Sequence, residues 1–250
     1  MEFHLWILVL AFFLIALVYA SVGFGGGSSY LALLAQPFFL LTPDAIRPLA
    51  LMCNIVVVTG GCILFLKEDK IRWKEVWPFL VSSVPFAYLG GRIKLQADTF
   101  FILLGFVLII AAVTLWFQPQ KNKSELQLDK TAFGLVSGGG IGFLSGLVSI
   151  GGGIFLSPML HIVHWGEARR ISALASLFIL VNSISGLAGQ FRAGIPELNY
   201  KLLLPLLAAV FVGGQLGSRL GAKTFNPMHI KRITAVLIFF AAWNILKRYM

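Results

Sequence analysis

Apolar residues fill ten stretches of the chain, separated by short polar or glycine-rich joints. By hydropathy they lie at about 5–23, 27–41, 47–66, 75–91 and 99–117, then at about 131–147, 153–165, 171–190, 201–218 and 229–246. Most approach the ~20 residues that an α-helix needs to cross a bilayer. The runs starting at 27 and 153 are shorter, which predicts half-helices or tilted helices. The longest polar joint, Gln118 to Lys130, falls at the centre of the chain. The pattern predicts an all-α polytopic membrane protein in two halves, residues 1–118 and 131–250, with a central cytoplasmic linker at 119–130.

Composition agrees. The chain is 58% hydrophobic, has a mean hydropathy of +0.88 and is only 12% charged, against about 25% charged in soluble domains. Its partner is therefore the lipid bilayer. The net charge of +10 is not a nucleic-acid footprint, because the lysines and arginines lie mostly in short loops between apolar runs. Thirteen of the 20, from Lys67 and Arg72 through Lys121 to Arg232, fall on one side, and seven, among them Arg92, Lys201 and Arg248, fall on the other. The richer side is expected to be cytoplasmic, leaving both termini extracytoplasmic.

Two glycine triplets interrupt the apolar sequence 126 residues apart, Gly25-Gly26-Gly27 and Gly151-Gly152-Gly153. At membrane depth such a break leaves backbone N–H groups that hydrocarbon does not satisfy. A helix starting after each triplet would aim its free N–H groups and positive dipole end at the break, which suits an anion. Ser28, Ser29 and Ser149 are placed to add hydroxyl donors. The alternative is tight helix packing. Paired breaks in two halves favour a transporter's binding site.

The halves match elsewhere. Asp44-Ala45-Ile46-Arg47 resembles Glu167-Ala168-Arg169-Arg170, Leu89-Gly90-Gly91-Arg92-Ile93 resembles Leu216-Gly217-Ser218-Arg219-Leu220, and Trp116 pairs with Trp243, at offsets of 123 to 127. These matches predict a duplicated unit. Five segments per half is an odd number, so the second copy is expected to be inverted, with the glycine-broken helices near the midplane.

Polar residues inside the runs are few. Asn54, Ser176 and Asn182 are candidates for solute contact or for interhelical hydrogen bonds, with Ser183 nearby and Gln190 a weaker candidate. Arg47 and Arg170 mark matching helix starts, where an arginine can guide anions or, more often, snorkels to headgroups. Gly134, Gly138, Gly142 and Gly146, like Gly213, Gly217 and Gly221, form stripes suited to close helix contact. All ten acidic residues sit at or near segment ends, so no carboxylate proton relay is expected. His161 and His164 have no neighbours to complete a metal site, and neither triplet precedes a nucleotide motif. Cys53 and Cys62, roughly 13 Å apart along one helix, cannot pair. No enzyme, cofactor or metal centre is expected. Association of further copies of the chain stays open.

The segments Gly23-Phe24-Gly25-Gly26-Gly27 and Ser149-Ile150-Gly151-Gly152-Gly153, each followed by a short apolar run and a helix bearing Ala50 to Asn54 or Ala173 to Ser176, resemble the TauE/SafE sulfite exporter family over essentially the whole chain. The resemblance implies an inner-membrane carrier of small sulfur-containing anions such as sulfite, sulfonates or sulfoacetate. An anion channel of the same architecture, or a carrier of another small organic anion, is the alternative. Pro37 and Pro43 follow the first triplet, whereas Pro158 lies much closer to the second. The half-sites are therefore not equivalent, and one is expected to bind the anionic head while the other closes the gate. The charge count predicts that a cysteine introduced near Lys123 labels only from the cytoplasm; labelling from the opposite side overturns the orientation.

Overall fold

The computed structural model describes residues 2–36, 39–68, 71–116, 129–194, 198–220 and 227–250. Most of the central linker, together with Pro37 and Gly221, lies outside them. Among the described residues, ten helices form where the apolar runs predict them. They are α1 (Glu2–Ser21), α2 (Gly27–Leu34), α3 (Pro43–Lys67), α4 (Trp73–Arg92), α5 (Ala97–Trp116), α6 (Lys130–Val148), α7 (Gly153–Ile162), α8 (Ala168–Ala193), α9 (Tyr200–Leu220) and α10 (Pro227–Tyr249). Five of them, α3, α5, α6, α8 and α9, are long and apolar enough to cross a membrane. By contrast, α2 has 8 residues and α7 has 10, about 12 and 15 Å of rise. Large apolar side chains, including Trp6, Leu10, Val81, Phe211, Phe240 and Trp243, cover the outside, the surface expected of a protein whose solvent is lipid.

The two short helices double back on their predecessors. α2 returns along α1, with Tyr30 stacked on Phe12 at 4.5 Å between ring centroids and Tyr19 Oη bonded to Ser29 Oγ at 2.7 Å. α7 returns along α6, and Phe79 of α4 meets both Phe133 of α6 and Trp165 just beyond α7 edge-on. Each pair is therefore a helical hairpin, and three further long helices follow each one.

Glycine sets how closely the long helices approach. The α6 stripe faces α4 in register, with Gly134 against Pro78 and Phe79, Gly138 against Phe79 and Ser82, Gly142 against Ser83 and Gly146 against Ala87. That order makes α4 and α6 parallel. Gly213 and Gly217 of α9 lie in the same way on Phe13, Ala16 and Leu17 of α1. Other pairs run oppositely. α5 and α10 meet through Phe101 with Tyr249 and Gly105 with Leu246. α3 and α8 meet through Leu51 with Gly186 and Glu68 with Arg169. Small residues drive this packing because lipid tails remove the hydrophobic gain that would otherwise join helices.

A methyl group at Gly217 has only the Leu17 backbone to meet, whereas one at Gly140 meets nothing within 4 Å. Gly217→Ala is therefore expected to destabilise the protein by ~1–3 kcal/mol. Gly140→Ala should be neutral or stabilising by up to about 1 kcal/mol. Melting curves of the two purified variants check this contrast.

Candidate functional site

The two glycine breaks meet at one side chain. Asn54, at the middle of α3, is fully buried. Its Nδ2 donates to the carbonyl of Ile150, 3.0 Å away, at the lip of the second triplet. Its amide also lies where side chains at Gly25, Gly27 and Gly151 would be, so only glycine fits at those three places. The reciprocal tie comes from the other half. Ser176 of α8 donates from Oγ to the carbonyl of Gly23 at 2.6 Å, at the lip of the first triplet. Each interruption is thus held by the long helix of the opposite half.

The local chain conformation aims backbone donors into this region. Gly26 and Gly152, the residues capping α2 and α7, adopt left-handed φ values of 83° and 82°, which glycine takes without a Cβ penalty. Both triplets are buried. Among the described residues, the N–H groups of Gly25, Gly26 and Gly27 and of Gly151, Gly152 and Gly153 meet no hydrogen-bond acceptor. Orphaned buried amides are rare. Here six of them gather around two helix N-termini, whose partial positive charge favours an anion.

Polar side chains extend the site along the α3–α8 seam. Arg47, Asn54 and Gly61 recur every seven residues on α3, and Ser176, Ser183 and Gln190 do so on α8, so each set shares one helix face. With the helices antiparallel, the sets form three rungs. Arg47 and Gln190 meet through Ser149 Oγ, Asn54 and Ser183 flank Gly151, and Gly61 faces Ser176. The buried Asn54 Oδ1, Ser183 Oγ and Gln190 Oε1 have no hydrogen-bond partner among the described residues.

The remaining candidates divide. Ser28 is buried beside the first break, and Ser29 is engaged by Tyr19. Gly26 packs on Ile15 and Tyr30, Gly152 on Phe178 and Gly153 on Ile179, so these three support the breaks rather than touch Asn54. Asn182 donates to the Phe178 carbonyl of its own helix at 2.8 Å. Arg47 does not snorkel: it is 3% exposed, because the ends of α4 and α6 supply carbonyls to it inside the bundle. Ser183 and Gln190 carry more of the site than their isolated positions in the sequence suggest. Their seven-residue spacing from Ser176 is the signal that marks them. Among the described residues no group of three or more His, Cys, Asp or Glu is placed to hold a metal, and both cysteines are free.

The sequence matches the family model described as "Sulfite exporter TauE/SafE" over residues 8–245. It is 33% identical over 244 residues to "Probable membrane transporter protein y4hK" of Sinorhizobium fredii, covering 96% of this chain and 97% of that one. It is 22% identical over 260 residues to "Probable membrane transporter protein YunE" of Bacillus subtilis, covering 93% and 94%. A membrane transporter of Methanocaldococcus jannaschii, also named as probable, is 25% identical over 239 residues, covering 90% of this chain and 89% of that one. No solved structure matches significantly. A match that spans both glycine breaks and every long helix has one consequence: this chain is a membrane transporter of the sulfite exporter TauE/SafE family.

Proposed function

We propose that the protein is a secondary transporter that moves small sulfur-containing oxyanions, such as sulfite, sulfonates or sulfoacetate, across the cytoplasmic membrane by alternating access. The observation that carries this reading is the convergence on Asn54 of two buried breaks whose amides lack acceptors. An oxyanion offers several acceptor oxygens at once, which matches a cluster of fixed N–H and hydroxyl donors. The substrate-binding set is Gly25, Gly26, Gly27, Ser28, Ser29, Asn54, Ser149, Gly151, Gly152, Gly153, Ser176 and Asn182, to which Ser183 is added.

In this reading residues 1–118 and 131–250 are inverted repeats. The packing supports it. Exchanging α1–α5 for α6–α10 maps α1–α9 onto α6–α4, α3–α9 onto α8–α4 and α2–α10 onto α7–α5, and it leaves α3–α8 and α5–α10 paired with themselves. A pair that maps onto itself through a two-fold axis in the membrane plane must be antiparallel, and both of these are. Exchange of access is then a shift of α1 against α9 and of α4 against α6, along faces that glycine keeps smooth. Asn54 closes the middle rung and separates the two ends of the seam. In this reading Glu68 and Arg169 lie at the cytoplasmic end and both termini at the opposite end, the orientation that the lysine and arginine distribution favours.

Breaking the crossed tie removes one positioned donor and leaves a buried carbonyl unpaired, at about 1–3 kcal/mol. Asn54→Leu and Gly27→Val are each expected to lower saturable sulfite flux in proteoliposomes by about ten- to a hundredfold while still inserting into membranes. Normal flux in both variants means that the breaks serve packing alone. Counterflow in the wild type marks a carrier, and linear conductive flux marks a channel.

A further inference from the structure

One rung of the seam is charged. Arg47 is the only charged side chain buried among the described residues. The ion pairs there join Arg72 to Glu75 and Arg169 to Glu68, and neither includes it. Its guanidinium donates from Nε to Ser149 Oγ at 3.3 Å, from Nη1 to the Ile93 carbonyl at 3.2 Å, and from Nη2 to the carbonyls of Gly91 and Gly146 at 3.4 Å each. It also lies over the Phe100 ring at 5.7 Å. Those carbonyls belong to the C-terminal ends of α4 and α6, where the helix dipoles are negative. This explains why a cation is tolerated inside. All four bonds, however, are longer than the roughly 2.7–2.9 Å usual when the donor is charged and the acceptor is an anion. The fork of N–H groups is held loosely and remains suited to an oxyanion.

Two neighbours complete the cluster. Gln190, 7% exposed, donates from Nε2 to the same Ser149 Oγ at 2.8 Å, and its buried Oε1 has no partner among the described residues. Ser149 Oγ thus accepts from two donors and keeps its own proton to give. Its backbone has a φ of 64°, where the corresponding Gly23 of the first half has 85°. Left-handed backbone disfavours a serine and suits a glycine, so the second half places a hydroxyl there against a conformational cost. The arginine that matches Arg47 in sequence, Arg170, is only partly buried. The cluster, which joins both halves, is therefore built at one end of the α3–α8 seam and not at the other.

We propose that Arg47, Ser149 and Gln190 form the station that reads the negative charge of the transported solute, binding a single sulfonate- or sulfite-type oxyanion group. This rests on the transport reading above and names the residues that set its charge selectivity. Anion oxygens replace Ser149 Oγ and the carbonyls as acceptors for the guanidinium, and the Ser149 hydroxyl donates a hydrogen bond to them. Ser149 ends α6 and begins the second break, so the same event exchanges the bond that ties that break to α3. Solute binding and release of the break are thereby coupled through one hydroxyl.

The test is isothermal titration of the purified full-length protein with sodium sulfite and with sodium sulfoacetate. Three variants accompany the wild type: Arg47→Gln, Gln190→Glu and Asn54→Leu. Gln190→Glu keeps the side-chain shape but sets a carboxylate beside the guanidinium, satisfying it internally. It is expected to melt at or above the wild-type temperature and to bind either anion at least about tenfold more weakly. Arg47→Gln is expected to lose binding to the same degree. A folded Gln190→Glu protein that binds within about twofold of the wild type overturns this inference, and it does so alone if Asn54→Leu has lost binding. A wild type that binds neither anion overturns the transport reading and this inference together.

Discussion

The structure depends on one constraint: every backbone polar group inside hydrocarbon needs a partner, and a broken helix cannot supply its own. Two such breaks occur here, and neither half of the chain satisfies its own. Asn54 of the first half bonds the carbonyl at the second break, and Ser176 of the second half bonds the carbonyl at the first. The exchange fastens the halves together at the place where each is weakest. It accounts for the carbonyls but leaves the amides of both triplets without acceptors. Those unmet donors are the observation on which the proposed anion site rests.

The rest of the fold serves this meeting. Glycine stripes on α6 and α9 bring backbones into contact with α4 and α1. Close approach compensates for the lack of a hydrophobic gain between helices in lipid. It also leaves faces with few interlocking side chains, which can slide without repacking a core. Aromatic contacts do the opposite elsewhere: Phe12 with Tyr30, Phe101 with Tyr249 and Phe79 with Trp165 pin the hairpins and the outer helices. In the proposed alternating access, these contacts hold the hairpins and outer helices while the glycine-lined seams shift.

The two halves share their packing but not their electrostatics. Arg47 is buried, bonded to helix ends and linked through Ser149 to Gln190. The matching Arg170 is only partly buried, and the neighbouring Arg169 is spent on an ion pair with Glu68. The two ends of the α3–α8 seam therefore differ: one carries an enclosed guanidinium, and the other carries arginines that are exposed or only partly buried.

Much of this was legible in the sequence, because lipid imposes simple rules. Helix number and place followed from apolar runs, the two breaks from glycine triplets, and the close helix pairs from stripes at four-residue spacing; the ten helices and the contacts of Gly134 to Gly146 agree with them. Asn54 and Ser176 stood out as polar residues in apolar runs, but their partners did not. A side chain's hydrogen bond to a carbonyl 96 or 153 residues away depends on how helices cross, and no local pattern encodes that. The same limit applied to Arg47, whose place near a helix start suggested exposure until the ends of α4 and α6 were seen to enclose it. Sequence alone determined which segments enter the membrane and where they break, since both depend on local polarity. Tertiary structure decided which half completes the other, since that depends on the antiparallel crossing of α3 and α8, whose register only the folded chain fixes.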